Sequence, residues 1–304
     1  MKTKNACMLL LTAAIWGFAF VAQSVGMDYL GPFTFNAVRS LIGGITLLPF
    51  IALSVRKEDG KKAPRSRTLW LGGLCCGLLL FAASSLQQIG IQYTTAGKAG
   101  FITACYIVLV PVLGILLKKK TGMRVWAAVV IALAGLYFLC MTERFTVGKG
   151  DVYLFLGAVL FALHILVIDH FSPRADGVRM ACIQFFTCGL LSSVPMFLLE
   201  TPKVSDILQA WAPILYAGVL SCGVAYTLQI LGQKNVSPTI ASLILSLESC
   251  ISVLAGFIIL GEKLSARELS GCILMFGAII LAQIPEKKKK TLQEARNEES
   301  ACSS

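Results

Sequence analysis

A stretch from the middle of the chain recurs near its end. When Gly97–Leu136 is laid on Thr239–Ala278, an offset of 142 residues, Ala99 falls on Ala241, Ile102 on Ile244, Gly114 on Gly256 and Gly135 on Gly277. Apolar residues face apolar residues along most of that alignment. The earlier parts match more loosely, with Trp16-Gly17-Phe18 near Phe161-Ala162-Leu163. Each copy reads as five apolar segments, and an odd number of crossings makes the second copy enter a bilayer from the opposite side. Inverted repeats of this kind build secondary transporters, with the substrate site between the copies. The competing reading is two unrelated helical halves with a chance similarity.

A bilayer is the only solvent that suits the composition. Hydrophobic residues make up 56% of the chain and charged residues 14%, with a mean hydropathy of +0.77. A soluble chain of this length exposes far more Lys and Glu. Here the charges cluster between apolar stretches of about 20 residues, the length needed to cross the hydrocarbon core. Ten spans are expected, near 7–26, 33–54, 69–90, 95–117, 124–141, 151–170, 178–199, 209–232, 238–260 and 267–285. The first follows Met1-Lys2-Thr3-Lys4 and could pass for a signal peptide, but nine spans follow and no small-x-small cleavage site intervenes. The fold predicted is an all-α integral membrane protein of ten transmembrane helices in two inverted five-helix repeats. Repeat one occupies 1–141, an outer linker 142–150, repeat two 151–285 and a disordered cytoplasmic tail 286–304.

Positive charge sets the orientation. With the N-terminus inside, the inner side collects 20 Lys and Arg, among them six from Arg56 to Arg67 and four from Lys118 to Arg124, against 6 outside. Arg39 falls within the second span. Matching loops differ as an inversion requires: Lys118–Arg124 carries four positive charges, whereas Gly261–Glu268 is neutral. The net charge of +11 is therefore topogenic and gives no argument for nucleic acid. The tail, opening with Lys287-Lys288-Lys289-Lys290, can touch anionic lipid.

Eleven cysteines invite a disulfide or metal reading. Nine of them fall in or at the ends of apolar spans, no Cys-x-x-Cys occurs, and His164 and His170 are not four residues apart. Buried cysteine serving as a small apolar residue is the simpler account. No metal and no cofactor are expected.

The motifs resemble those of the EamA family, within the drug/metabolite transporter superfamily, over essentially the full membrane length. The first copy carries Trp16-Gly17-Phe18-Ala19-Phe20-Val21, then Gly31-Pro32-Phe33-Thr34 leading to Arg39, then Tyr93-Thr94-Thr95-Ala96-Gly97-Lys98-Ala99. The second carries Gly150-Asp151, Ser246-Leu247-Glu248 and Gly261-Glu262-Lys263-Leu264-Ser265. One departure is Ser249, where many relatives have proline after the acidic residue of the ninth helix. The resemblance implies ten helices, two EamA repeats, and export or exchange of amino acids, related metabolites or amphiphiles.

Polar residues inside the spans are where such a function should sit, because an unpaired charge in hydrocarbon is costly. Lys98, in the first turn of the fourth helix, gains from the helix dipole and from a cap by Thr94 or Thr95, and can hold an anionic group. Arg39, about two turns from the outer end of the second helix, can do the same; both side chains can instead snorkel to headgroups. Glu248 lies near the midplane, and its repeat mate is Tyr106. It can bind an amine, carry a proton, or simply hold helices together. His164 can relay protons or pack. Asn36, Gln88, Gln184, Tyr226 and Gln229 can hydrogen-bond a ligand or a neighbouring helix, and Trp16 and Tyr93 can line a cavity. That cavity is expected between spans 1–4 and 6–9, with the fifth and tenth peripheral. Gly73-x-x-x-Gly77 reads as close helix packing, and Pro111 as a kink in the fourth span.

A membrane-embedded enzyme needs a nucleophile, base or metal cluster at usable spacing, and the sequence offers none. The function expected is a secondary transporter that exports or exchanges a small, amino acid-like or amphiphilic metabolite across the cell membrane. The alternatives are a flippase or exchanger for a larger amphiphile, such as a lipid-linked sugar, and a non-transporting structural membrane protein. The partners expected are the small-molecule substrate and membrane lipid, with homodimerisation left open. Both termini should be cytoplasmic. A membrane-impermeant thiol reagent added to intact cells should modify a cysteine placed at Lys149 or Lys263 and miss one at Lys61; labelling at Lys61 from outside reverses the topology.

Overall fold

The computed structural model describes residues 3–57, 66–94, 96–119, 121–140, 148–260 and 265–284. The basic loop carrying Lys61, most of the 142–150 linker, the motif from Gly261 to Leu264, Thr95 and the tail from 285 onward lie outside the described residues. The described chain is helical throughout, without strands. Its elements are α1 (Thr3–Gly26), α2 (Pro32–Lys57), α3 (Ser66–Ile91), α4 (Ala96–Ala104), α5 (Tyr106–Leu116), α6 (Met123–Cys140), α7 (Lys149–Phe171) and α8 (Gly177–Leu199). After these come the short α9 (Val204–Gln209) and α10 (Trp211–Leu215), a π-helical segment (Tyr216–Tyr226), α11 (Thr227–Gln233), α12 (Pro238–Leu245), α13 (Glu248–Leu260) and α14 (Ala266–Gln283).

Eight of the described helical runs are long and apolar enough to cross a membrane. The fifth and tenth expected spans are shorter apolar helices, Met123–Phe138 and Leu269–Ala282. These two pack on each other: a Cβ added to Gly135 of α6 would stand 2.8 Å from the Gly271 carbonyl oxygen of α14. Gly277, which the repeat register pairs with Gly135, faces open space instead, so the two glycines do different work. Close approach also explains Gly73-x-x-x-Gly77. Added Cβ atoms there would meet Ile183 at 2.6 Å and Thr187 at 2.5 Å, because α3 crosses α8 through these positions. In a bilayer, where apolar side chains gain little by leaving lipid, such small-residue contacts are a main source of helix association.

Three spans depart from plain α-winding. The fourth is interrupted at Cys105 rather than at Pro111, and the ninth at Ser246 and Leu247, where there is no proline. Both interruptions are turns of the tighter, three-residue kind. The amide of Cys105 donates to the Ile102 carbonyl and that of Val108 to Cys105, while Leu247 donates to Ile244 and Ser249 to Ser246. In the repeat register Cys105 corresponds to Leu247, so the breaks coincide although only one copy carries the proline. In the eighth span, the segment Tyr216–Tyr226 is π-wound over 11 residues. Mid-helix deviations of both kinds frequently mark functional sites.

Polar contacts pin the bundle at its ends. The Glu200 carboxylate accepts from the amides of Phe33 and Thr34 at 2.9 and 2.8 Å, and from the Thr34 hydroxyl at 2.6 Å, so the end of α8 caps the start of α2. Lys98 of α4 donates to Asp151 in the first turn of α7 at 2.7 Å, and Asp151 also accepts from the Gly148 amide. At the opposite end of α7, Asp169 accepts from Lys119, whose ammonium is held below its ordinary pKa by burial. Asn5 donates to the carbonyls of Gly232 and Lys234. The side chains of Cys76, Cys182, Cys188, Cys222, Cys250 and Cys272 are buried among the helices as thiols outside any disulfide.

The fourth and ninth spans lie against each other. The Ser249 hydroxyl donates to the Gly100 carbonyl at 3.1 Å, and a Cβ built on Gly100 stands 3.3 Å from the Ser252 oxygen. Cysteines at Gly100 and Ser252, in a background with the native cysteines replaced, should therefore join on mild oxidation. The test is whether the two fragments cut at a protease site inserted at residue 143 stay together without reductant. Fragments that always separate would remove this helix pairing.

Candidate functional site

One cavity lies where the interrupted helices meet α1, α7 and the π segment. α1 contributes Trp16, Ala19, Phe20 and Gln23, spaced so that they share one helical face. α7 contributes Phe161, His164 and Ile165 with the same spacing. Ser221 and Tyr226 come from the π segment, and Gln229 from α11. Arg39 enters from α2, Gln87 from α3, Thr103 from α4, Tyr106 from α5 and Glu248 from α13. α8 stands behind the wall and contributes no lining residue, so the seventh span drops out of the expected set. α6 and α14 likewise supply none.

The two helix breaks place the central pair. Tyr106 is the first residue of α5 and Glu248 the first of α13, and the Tyr106 hydroxyl donates to Glu248 Oε1 at 2.9 Å. Both side chains are 3% exposed. Gly17 lets α1 come against this break. A Cβ at that position would lie 2.6 Å from Ile251 and 2.9 Å from the Glu248 carbonyl oxygen. Glu248 thus owes its place to a tight turn on its own span and to a close approach by α1.

An aromatic group forms one wall. The Trp16 and Tyr226 rings stand 4.6 Å apart at 57°, and Tyr226 presents edge-to-face contacts to Phe185 at 5.5 Å and His164 at 6.0 Å. Such tilted arrangements suit the ring quadrupoles. His164 Nε2 shares a hydrogen bond with Gln184 Oε1 at 2.9 Å, which fixes the ring from behind. On the other wall Gln87 donates to the Thr103 hydroxyl at 3.2 Å, tying α3 to α4. Arg39, 6% exposed, donates to Gln23 Oε1 at 2.9 Å and lies 5.5 Å from the Phe35 ring. Several buried polar atoms at the cavity have no partner among the described residues: Trp16 Nε1, Arg39 Nε and Gln229 Oε1.

Of the residues singled out from the sequence, Trp16, Arg39, Tyr106, His164, Tyr226, Gln229 and Glu248 come together around this space. Gln184 reaches it only through His164. Gln88 is buried beside it, donating to the Gln23 carbonyl, and Asn36 is buried on α2 with both side-chain polar atoms unpartnered among the described residues. Tyr93 lies elsewhere, 57% exposed with the Lys149 ammonium over its ring. Lys98 is drawn away by Asp151 and does not line the cavity. The sequence reading missed Gln23, Gln87, Thr103 and Ser221. The i, i+3, i+4, i+7 spacing of Trp16, Ala19, Phe20 and Gln23 was the one signal that could have found Gln23. Among the described residues no group of three or more His, Cys, Asp or Glu side chains is placed to hold a metal.

The model of the EamA-like transporter family matches residues 3–141 and again 148–283. The chain belongs to that family. This EamA protein is therefore a multi-pass membrane transporter. It is similar to an uncharacterized transporter of Archaeoglobus fulgidus, with 30% identity over 91% of this chain and 84% of that one. It also resembles the inner membrane transporter YedA of Escherichia coli K12, with 24% identity over 89% of this chain and 86% of the other. A solved crystal structure superposes with a TM-score of 0.76 over 96% of this EamA chain and 100% of its own, at 17% identity, a likeness of fold alone.

Removing the Tyr106 hydroxyl should cost more than its own hydrogen bond, since it leaves the buried Glu248 carboxyl without this donor. Tyr106→Phe is expected to destabilise the protein by about 1–3 kcal/mol. Thermal melts in detergent read this as a clear fall in Tm, and an unchanged Tm would show that the pair contributes nothing to the fold.

Proposed function

We propose that the chain is a secondary transporter that exports or exchanges a small metabolite across the cytoplasmic membrane by alternating access. In this reading ten spans form two inverted five-helix repeats, residues 1–141 and 151–285, joined by an outer linker. Both termini lie in the cytoplasm. The observation that carries it is the meeting of two helix breaks, at repeat-equivalent positions, on the buried Tyr106–Glu248 pair inside a cavity. Interrupted helices near the midplane, facing a site between repeats, are how many secondary transporters expose backbone and charge to a substrate. The breaks are also the natural hinges for such a motion, because tight turns absorb changes that an unbroken helix resists.

Trp16, Tyr226 and Phe161 offer apolar and ring contacts, Gln23, Gln87, Ser221 and Gln229 hydrogen bonds, and Glu248 and Arg39 charge of both signs. That inventory suits an amino acid-like or amphiphilic metabolite.

Uptake into proteoliposomes, run with a panel of amino acids, nucleosides and cationic dyes, tests the reading. At least one solute should accumulate or exchange in a protein-dependent, saturable way. Glu248→Gln keeps the volume and most hydrogen bonds while removing the charge, so transport by that variant should fall severalfold or lose its dependence on pH. A variant that melts like the wild type and transports at an undiminished rate from mildly acidic to mildly alkaline pH would make Glu248 a helix contact and no more.

A further inference from the structure

Arg39 is the anomaly of the cavity. Its guanidinium is buried at 6% exposure within a membrane-spanning helix, yet among the described residues no carboxylate lies within ion-pair distance of it. The neighbours are a neutral amide oxygen, Gln23 Oε1, and the face of Phe35. Tyr226, Cys222 and Cys188 lie within electrostatic reach, but a phenol and two thiols are uncharged by their ordinary chemistry near neutral pH. Glu248 shares the cavity and is engaged by Tyr106 instead. Buried charges in proteins are nearly always paired, and those inside membranes usually mark the path of a ligand or ion.

The position of Arg39 is also fixed. Gln23 of α1 is itself held by the Ala19 carbonyl and accepts from Arg39, while the Gln23 carbonyl accepts from Gln88 of α3. Three helices thus hold the guanidinium at the cavity wall with its Nε unused. One turn earlier on α2, the Asn36 amide nitrogen is a second buried donor without a partner among the described residues.

We infer that Arg39 is an anion-binding residue of the cavity. It receives either a carboxylate carried by the transported solute or a small inorganic anion moving with it. The inference rests on the transport reading for its purpose, and on the guanidinium's surroundings for its chemistry. A fork of fixed N–H donors suits a planar carboxylate better than a lysine ammonium would. Gln23 acts here as a positioning residue. An anion at Arg39 leaves the remainder of a cargo among Trp16, Tyr226 and Glu248, so an amine on the same molecule would meet the carboxylate.

The test uses the purified full-length protein and three probes: sodium chloride, sodium benzoate and L-phenylalanine, with the sodium salt of a bulky sulfonate buffer balancing ionic strength. At least one probe should raise Tm saturably. The rise should vanish in Arg39→Gln, persist in Glu248→Gln for chloride or benzoate, and need at least about tenfold more probe in Arg39→Lys. Benzoate or phenylalanine acting without chloride identifies a cargo carboxylate, and chloride acting equally identifies an inorganic anion. In the wild type the effective probe should also protect Arg39 from phenylglyoxal, read by peptide mass spectrometry, which needs no variant to fold. An undiminished rise in Arg39→Gln, no saturable rise with any probe, or no protection of Arg39 overturns the inference. Solute transport that continues unchanged in Arg39→Gln, with no anion effect, leaves the transport reading standing and removes this one. An Arg39-dependent rise in a protein that moves no solute does the reverse.

Discussion

Inside a bilayer a backbone amide or carbonyl released from its helix has no water to turn to, and the cost runs to several kcal/mol per group. That constraint governs how this chain can interrupt a span at all. At Cys105 and again at Ser246–Leu247 the chain tightens rather than opens, and three-residue turns keep the amides bonded. Serine hydroxyls take up further carbonyls at the second break, with Ser246 donating to Leu243, Ser252 to Ser249, and Ser249 reaching across to Gly100. The breaks are therefore joints whose backbone groups stay bonded. Each delivers a polar side chain, Tyr106 or Glu248, to the same point.

The surrounding helices are fitted to those joints through small residues. Gly17 brings α1 against α13, Gly73 and Gly77 bring α3 against α8, and Gly135 brings α6 against α14. Charge works at the ends of the bundle, where Glu200 caps α2 and the aspartates of α7 bind Lys98 and Lys119. The division is physically sensible, since ion pairs near the ends can trade partners with water and headgroups while interior contacts cannot.

Much of this was legible in the sequence. The register that aligned Ala99 with Ala241 also aligned Tyr106 with Glu248, and it pointed to the pair the structure joins. Apolar run length gave the long spans, and the polar residues within them named seven of the cavity's side chains. The rest depended on information that periodicity does not hold. The lysine in the first turn of α4 looked like an anion site because its partner Asp151 lies 53 residues away in sequence. Pro111 drew attention as the kink, while the actual break needed only a local switch in hydrogen bonding. The π-winding of Tyr216–Tyr226 leaves no mark in a 3.6-residue pattern, so the side chains it turns inward, Ser221 above all, could not be ranked.

Gly17 bears on more than the tightness of a helix crossing. The atom it lacks would fall against the carbonyl of Glu248, so the depth of the cavity carboxylate is gauged from a neighbouring helix. A methyl group at position 17 would act like a shim, pushing the ninth span outward and carrying the carboxylate away from Tyr106 before any cargo arrived. Residue 17 is thus a ruler for the site, and a change there would shift the cavity's geometry without replacing any of the side chains that line it.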